Sequence, residues 1–290
     1  VEPACDEVVL HLQSDTTDVS DAIIDVSSKN HTTIVQGDTT HTTTSTILGS
    51  SSFSFDGVDD YILIPHTTDL VDQFFDIQNQ DFSVEFWFNT NQIKRSGFIS
   101  THNFPSNFGQ YRVDAFDIEL KSTGHVMCFF RDASLNAVAI LTDEVITTNT
   151  WYHITVVRSN GTVKMYLNGM QTGEEIYFPH AIPSTTTSGT KLPLVVGKYS
   201  DWLLDGYIQD LRISKVARHT CNFTPPDTLL TACCPAPVDV NCASVELQLQ
   251  SPDTANTNDL VVDRSGNDHV VTQNRVTHQY HGGLFSSYIS

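Results

Sequence analysis

Charge is scarce in this chain, and basic charge scarcer still. Only 17% of its 290 residues are Asp, Glu, Lys or Arg, and 34 acidic residues stand against 15 basic ones, a formal net charge of −19. A field of that sign repels nucleic acid and anionic membrane surfaces, so neither is expected as a partner. Long apolar runs are also missing. No stretch approaches about 18 consecutive apolar residues, so membrane insertion is not expected either. HExxH, GxSxG and phosphate-cradling glycine loops are absent, which removes the usual footing for zinc peptidase, serine hydrolase and nucleotide chemistry. The six cysteines, Cys5, Cys128, Cys221, Cys233, Cys234 and Cys242, contain no CxxC pair. That spacing argues against a zinc ribbon, and the adjacent Cys233-Cys234 suits disulfides, hence an oxidising, extracellular setting. Cys5, Cys221, Cys233, Cys234 and Cys242 are the disulfide candidates. Cys128, in the apolar run Val126–Phe130, is expected as a buried free thiol. No initiator Met or signal peptide opens the sequence, and Val1 is read as the start of a processed product or of a piece of a longer chain.

Ser and Thr fill much of the polar remainder, and Thr suits half-buried strands better than helices. The clearest element is Trp151–Gly169, WYHITVVRSNGTVKMYLNG. Two β-branched, apolar runs flank Asn160-Gly161, whose tolerance of positive φ is what a tight hairpin turn requires. Val163, Met165 or Tyr166, and Leu167 are expected to cover a core. Further strands are expected at Val8–Leu12, Ser52–Phe55, Tyr61–Ile64, Phe82–Phe88, Gly97–Ser100, Ala115–Leu120, His125–Arg131, Ala137–Leu141, Leu192–Gly197 and Gly206–Ser214. The Thr-rich stretch Gly37–Thr46 reads as an exposed loop. No convincing amphipathic helix is present. Many short strands separated by turn residues predict an all-β protein, a β-sandwich or jelly roll.

Several motifs, in order, carry a resemblance. FDGVDDYILIP (Phe55–Pro65), FSVEFWFNT (Phe82–Thr90), the Trp151–Gly169 hairpin, LVVGK (Leu194–Lys198), GYIQDLRISKVAR (Gly206–Arg218) and CNFTPP (Cys221–Pro226) together resemble a laminin-G-like domain of the concanavalin A-like lectin and glucanase superfamily. The resemblance covers roughly residues 7 to 228 and implies a two-sheet antiparallel jelly-roll β-sandwich. The opening of the chain then recurs. Cys5–Ser14 (CDEVVLHLQS) parallels Cys242–Ser251 (CASVELQLQS), and Asp25–His31 parallels Asp263–His269. The expected organisation is one domain over residues 1–232, a Cys/Pro linker over 233–241, and the first strands of an incomplete second copy over 242–290.

The resemblance implies a calcium ion where the first loop meets the last strand, at Asp25, Asn30 and Asp210, hard oxygen donors of the kind calcium takes. The competing reading of Asp25, Ser27 and Asn30 is an Asx turn. Asp56, Asp59 and Asp60 form a weaker acidic group, read as a turn. The related glucanases need two carboxylates on one strand; the nearest match is Asp114–Glu119, where Asp117 and Glu119 share a face, but Ala115 stands where the motif has its leading Glu. Hydrolysis is therefore not expected. Sugar binding needs an exposed aromatic face beside polar groups. Trp87 and Trp151 sit in strand patterns and are expected in the core. Trp202, in the polar stretch Tyr199-Ser200-Asp201-Trp202, is the first choice and Tyr199 the second. Asn30, Asn160 and Asn222 head glycosylation sequons. The function expected is non-enzymatic: a protein of the extracellular space or a virion surface that binds glycans or mediates adhesion. The alternative is a structural subunit of a capsid, tail or filament, whose partners are neighbouring copies joined by strand addition.

Overall fold

The computed structural model describes residues 7–65, 80–101, 116–182 and 193–231, with the strand backbones at 249–250, 262–263, 276–281 and 284–289. The chain divides into two compact units, Val1–Val238 and Asp239–Ser290. No α-helix occurs among the described residues, and none is long and apolar enough to cross a membrane.

In the first unit the strands run β1 (Val8–Leu12), β2 (Ile34–Gln36), β3 (Thr40–Thr42), β4 (Ser52–Asp56), β5 (Tyr61–Ile64), β6 (Phe82–Thr90), β7 (Ser96–Ser100), β8 (Phe116–Leu120) and β9 (Val126–Arg131). They continue as β10 (Ala137–Leu141), β11 (Tyr152–Ser159), β12 (Thr162–Leu167), β13 (Met170–Tyr177), β14 (Leu194–Val196), β15 (Lys198–Tyr199), β16 (Trp202–Leu203) and β17 (Asp205–Ser214). One eight-stranded sheet has the order β13-β12-β11-β6-β17-β4-β3, with β1 also on β17; a seven-stranded sheet has the order β10-β9-β8-β7-β14-β5-β2. All neighbours pair antiparallel. This is the two-sheet jelly-roll sandwich that the sequence predicts.

The core lies between the sheets, and alternation along each strand decides which residues enter it. Phe82, Val84, Phe86 and Phe88 of β6 point inward, as do Phe116, Ile118 and Leu120 of β8 and Phe130 of β9. Ring contacts knit them, Phe88 to Phe98 at 4.4 Å and Phe82 to Phe130 at 5.8 Å between centroids. Cys128 is in this core, where burial first, and then the charge of Asp117, push its thiol pKa well up. The β11–β12 hairpin has the expected turn, Asn160 and Gly161 both at positive φ.

Three expectations are corrected. The Thr-rich stretch is not simply an exposed loop: β3 pairs with β4 and buries His41. β13 went unseen because its run, MQTGEEIY, holds few apolar residues; it is an edge strand, and edges need only one covered face. Trp87 and Trp151 are not core residues. Both are half-exposed on the outer face of the eight-stranded sheet, Trp87 against His153 and Trp151 against Tyr207.

Part of that outer face is covered. Phe223, from the segment after β17, stacks on His219 and meets Tyr166 and His153 edge-on. Underneath lies a buried ionic cluster. Arg212 donates to Glu85 from Nε at 3.0 Å and Nη2 at 2.7 Å, and His219 stands 3.6 Å away. Burial alone would raise the Glu85 pKa, but Arg212 and then His219 hold it far below the usual carboxylate range. Burial pushes the neighbouring His153 down to about 4.

In the second unit, β18 (Leu249–Gln250) pairs with β19 (Val262–Asp263), and β20 (Val276–His281) with β21 (Leu284–Ile289). Leu249 is opposite Asp263. The sequence repeat aligns these two with Leu12 and Asp25, which form an antiparallel bridge in the first unit.

Candidate functional site

Alternation sends Asp117 and Glu119 of β8 to the outer face of the seven-stranded sheet, opposite the core-facing Phe116, Ile118 and Leu120. Two cross-strand rows form there. Ser100, Asp117 and Phe129 stand side by side on β7, β8 and β9, and Gly97, Glu119 and Met127 form the next row. Phe129 and Met127 are half-exposed.

Over the second row lies the small hairpin β15–β16. The chain leaves β14 through Gly197, at φ +89°, and turns through Ser200, at φ +54°. Ser100 Oγ donates to Lys198 O at 2.8 Å and fastens the hairpin to β7. Its path is open only because residue 97 is glycine: a Cβ there would overlap the backbone of Lys198 and Tyr199. Tyr199 and Trp202 are opposite each other in the hairpin and stack, centroids 5.5 Å apart and planes 12° from parallel.

Arg95 links the hairpin to the sheet. Its Nε donates to Glu119 Oε2 at 2.6 Å and its Nη2 to Oε1 at 3.0 Å, and Lys121 Nζ reaches Oε1 at 3.0 Å. The guanidinium carbon sits 3.6 Å from the Trp202 ring centre and 5.3 Å from that of Tyr199. With the rings 5.5 Å apart, those distances put Arg95 and Tyr199 on the same side of the indole plane. Burial works against the Arg95 charge, but the hydrogen bond and charge of Glu119 outweigh it and raise its pKa. Beside the hairpin, Lys198 Nζ lies 4.2 Å from the Tyr61 ring centre, its pKa lowered by burial against the pull of Asp201.

The sequence reading and the geometry meet here in an unforeseen way. Trp202 and Tyr199 were singled out as sugar binders, and Asp117 and Glu119 as the nearest thing to a glycosidase pair; the fold places Glu119 and the two aromatics around one guanidinium. Trp202 is in a short strand rather than a loop, and it is half-exposed while Tyr199 is only 8% exposed, so the indole carries the open surface. Arg95 was missed. Its only sequence signal is the adjacent cation pair Lys94-Arg95 in Asn91–Gly97 of a chain poor in cations.

The calcium candidates lie elsewhere, around His11. Asp25 is 2% exposed, and its oxygens accept from the backbone N–H of His11, Ser27 and His31 and from Ser27 Oγ, all at 2.8–2.9 Å. Asp210, the bulge residue of β17 at φ +57°, accepts from the Leu230 N–H and pairs with His11 Nε2 at 2.7 Å. Asn30 is exposed at φ +48°. Among the described residues, only Asp56, Asp59 and Asp60 bring three metal-capable oxygens within 4.8 Å of one another. Of the disulfide candidates, Cys5, Cys233, Cys234 and Cys242 lie outside the described residues, and Cys221 is half-buried. Among the sequon residues, Asn30 and Asn160 are exposed, while Asn222 accepts from the Gln171 N–H at 2.7 Å.

A family model described as concanavalin A-like lectin/glucanases superfamily (Laminin_G_3) matches residues 55–221. No curated protein matches the chain. Among solved structures, the binding domain of Paraclostridial Mosquitocidal Protein 1 aligns with TM-score 0.53 and 17% identity, over 73% of this chain and 50% of that one. The binding domain of Botulinum Neurotoxin DC in complex with SialylT aligns with TM-score 0.53 and 14% identity, over 73% and 49%. Domain 4 of AbnA, a GH43 extracellular arabinanase from Geobacillus stearothermophilus, in complex with arabinotriose, aligns with TM-score 0.51 and 21% identity, over 73% and 93%. The chain thus spans about half the length of the toxin binding domains and nearly all of the arabinanase domain. At these identities the likeness is one of fold. The family model, by contrast, spans more than half of the sequence, and the chain belongs to the concanavalin A-like lectin/glucanase superfamily.

Proposed function

We propose that the chain is a non-enzymatic glycan-binding module of an extracellular protein, and that the sugar binds at Trp202 on the outer face of the seven-stranded sheet. The observation that carries this reading is the prebuilt indole. Tyr199 and Arg95 fix Trp202 from one side, and Arg95 is itself fixed by Glu119. A ring held in place loses little conformational freedom when a sugar stacks on it, which is what makes aromatic platforms effective. The fold neighbours solved with arabinotriose and with SialylT support the ligand class.

The same geometry supports the non-enzymatic reading. Glycoside hydrolysis needs one carboxyl group to protonate the leaving oxygen and a second to attack or to activate water. Both Glu119 oxygens are engaged by Arg95 or Lys121, and the side chain is fully buried. Calorimetric titration of a neutral and acidic oligosaccharide panel against the wild type and Trp202→Ala tests the proposal. Binding that disappears with the indole supports it, and binding indifferent to Trp202 removes this site.

A further inference from the structure

The hydrogen-bonding atoms around Trp202 are unevenly divided between donors and acceptors. Arg95 uses Nε and Nη2 on Glu119; its Nη1 takes no hydrogen bond among the described residues, and the side chain is 31% exposed. The indole Nε1 of the half-exposed Trp202 likewise has no acceptor among the described residues, and it is not a buried nitrogen. In the first strand of the hairpin, Lys198 Nζ rests on the Tyr61 ring and makes no hydrogen bond among the described residues. Two of the acidic acceptors nearby are occupied or enclosed, Glu119 being filled by three N–H contacts and Asp117 1% exposed. Asp201 is exposed and acts on Lys198 through its charge. A neutral sugar offers hydroxyl groups that both donate and accept, and is best met by a mixture of protein groups. Among the described residues the spare donors, on Arg95, Trp202 and Lys198, outnumber the exposed carboxylate of Asp201, and such a surface fits a group that only accepts.

We infer that the ligand of this site is an acidic glycan, whose sugar carboxylate is received by Arg95 Nη1 and the Trp202 indole N–H with Lys198 adding charge. This rests on the glycan-binding reading above and narrows it to a ligand class. Arg is suited to the task because its planar fork can hold Glu119 with one edge and present another outward. The chain as a whole carries −19 and repels anions. A cationic spot in such a field selects ligands that reach it closely, and the attraction is screened by salt.

The test is calorimetric titration of the full chain with 3′-sialyllactose and trigalacturonic acid, each beside its neutral parent, lactose or galactotriose, and with 3′-sulfolactose. The expected result is that at least one carboxylated sugar binds about tenfold tighter than its parent at low salt, with the advantage shrinking in about 0.5 M salt. Arg95→Gln should remove the advantage. Trp202→Phe keeps a ring and the fold, lacks the N–H, and should reduce the advantage about threefold. Equal or tighter binding of the neutral parents overturns the inference while leaving the glycan reading intact. Binding of the sulfated sugar alone overturns the carboxylate assignment. No binding of any sugar removes both.

Discussion

A side chain at Gly97 would occupy the place of the Tyr199 backbone. The bare backbone of β7 is therefore what lets the β15–β16 hairpin lie across the sheet and bring Trp202 to Arg95. Gly97→Ala should displace the hairpin, lower stability by about 1–3 kcal/mol as overpacked positions do, and weaken ligand binding more than tenfold. Denaturant unfolding and a binding titration check this. An alanine variant with unaltered affinity would show that the hairpin's seat is irrelevant to the site.

The ionic cluster under Phe223 predicts strong asymmetry between single and double substitutions. Arg212→Met leaves the Glu85 carboxylate buried with only histidine and Arg218 near it, and should cost about 3–5 kcal/mol. Glu85→Gln combined with Arg212→Met should cost clearly less than the two single changes added together. Urea unfolding of the three variants provides the comparison, and additivity would contradict the assigned pairing.

Acid should destabilise the fold before ordinary carboxylates titrate. His153 has its pKa lowered from 6.5 to about 4, through burial, against the opposing charge of Glu85 and together with His219 and Arg212. Above pH 6.5 both folded and unfolded chains hold this ring neutral, and its contribution is complete. As the pH falls from 6.5 towards 4 the unfolded chain takes up a proton that the fold refuses, so stability declines, by about 3 kcal/mol in all. Glu85, whose pKa is depressed, adds a further loss at lower pH. His153→Gln should flatten the upper part of that decline in pH-dependent melting; an unchanged profile would contradict the assignment.

The loop around Asp25 gives a separate test. The carboxylate holds three backbone N–H groups and one hydroxyl, so Asp25→Ala should cost about 2–4 kcal/mol by leaving buried donors unpaired. With those donors in place the arrangement predicts a melting temperature that is the same in calcium and in chelator. A rise with calcium in the wild type that disappears in Asp25→Ala and Asp210→Ala would establish an ion in this loop.

The sandwich was legible because its signals are local. Alternation in Phe82–Phe88 and the Asn160-Gly161 turn report directly on strand faces and hairpins, and β6, β11 and β12 are close to where those patterns put them. What escaped reading was what covers each outer face. The chain bends back after β17, so Tyr166 and Glu85, on the solvent side by alternation, are buried beneath Phe223 and around Arg212. Trp87 and Trp151 err in the opposite direction, half-exposed where their strand patterns suggested core. The site was half legible. Tyr199-Ser-Asp-Trp202 looks like a displayed aromatic in the sequence, whereas Arg95 and Glu119 become its supports only through the pairing of β7 with β8 and the crossing at Gly97.

The most direct measurement is a calorimetric titration of the wild type and Trp202→Ala with the oligosaccharide that binds best in the panel. The account predicts measurable binding by the wild type and at least a tenfold loss in the variant, burial of a large apolar face being worth roughly 1.5–3 kcal/mol. Unchanged affinity without the indole, or no binding by the wild type to any sugar, would contradict it.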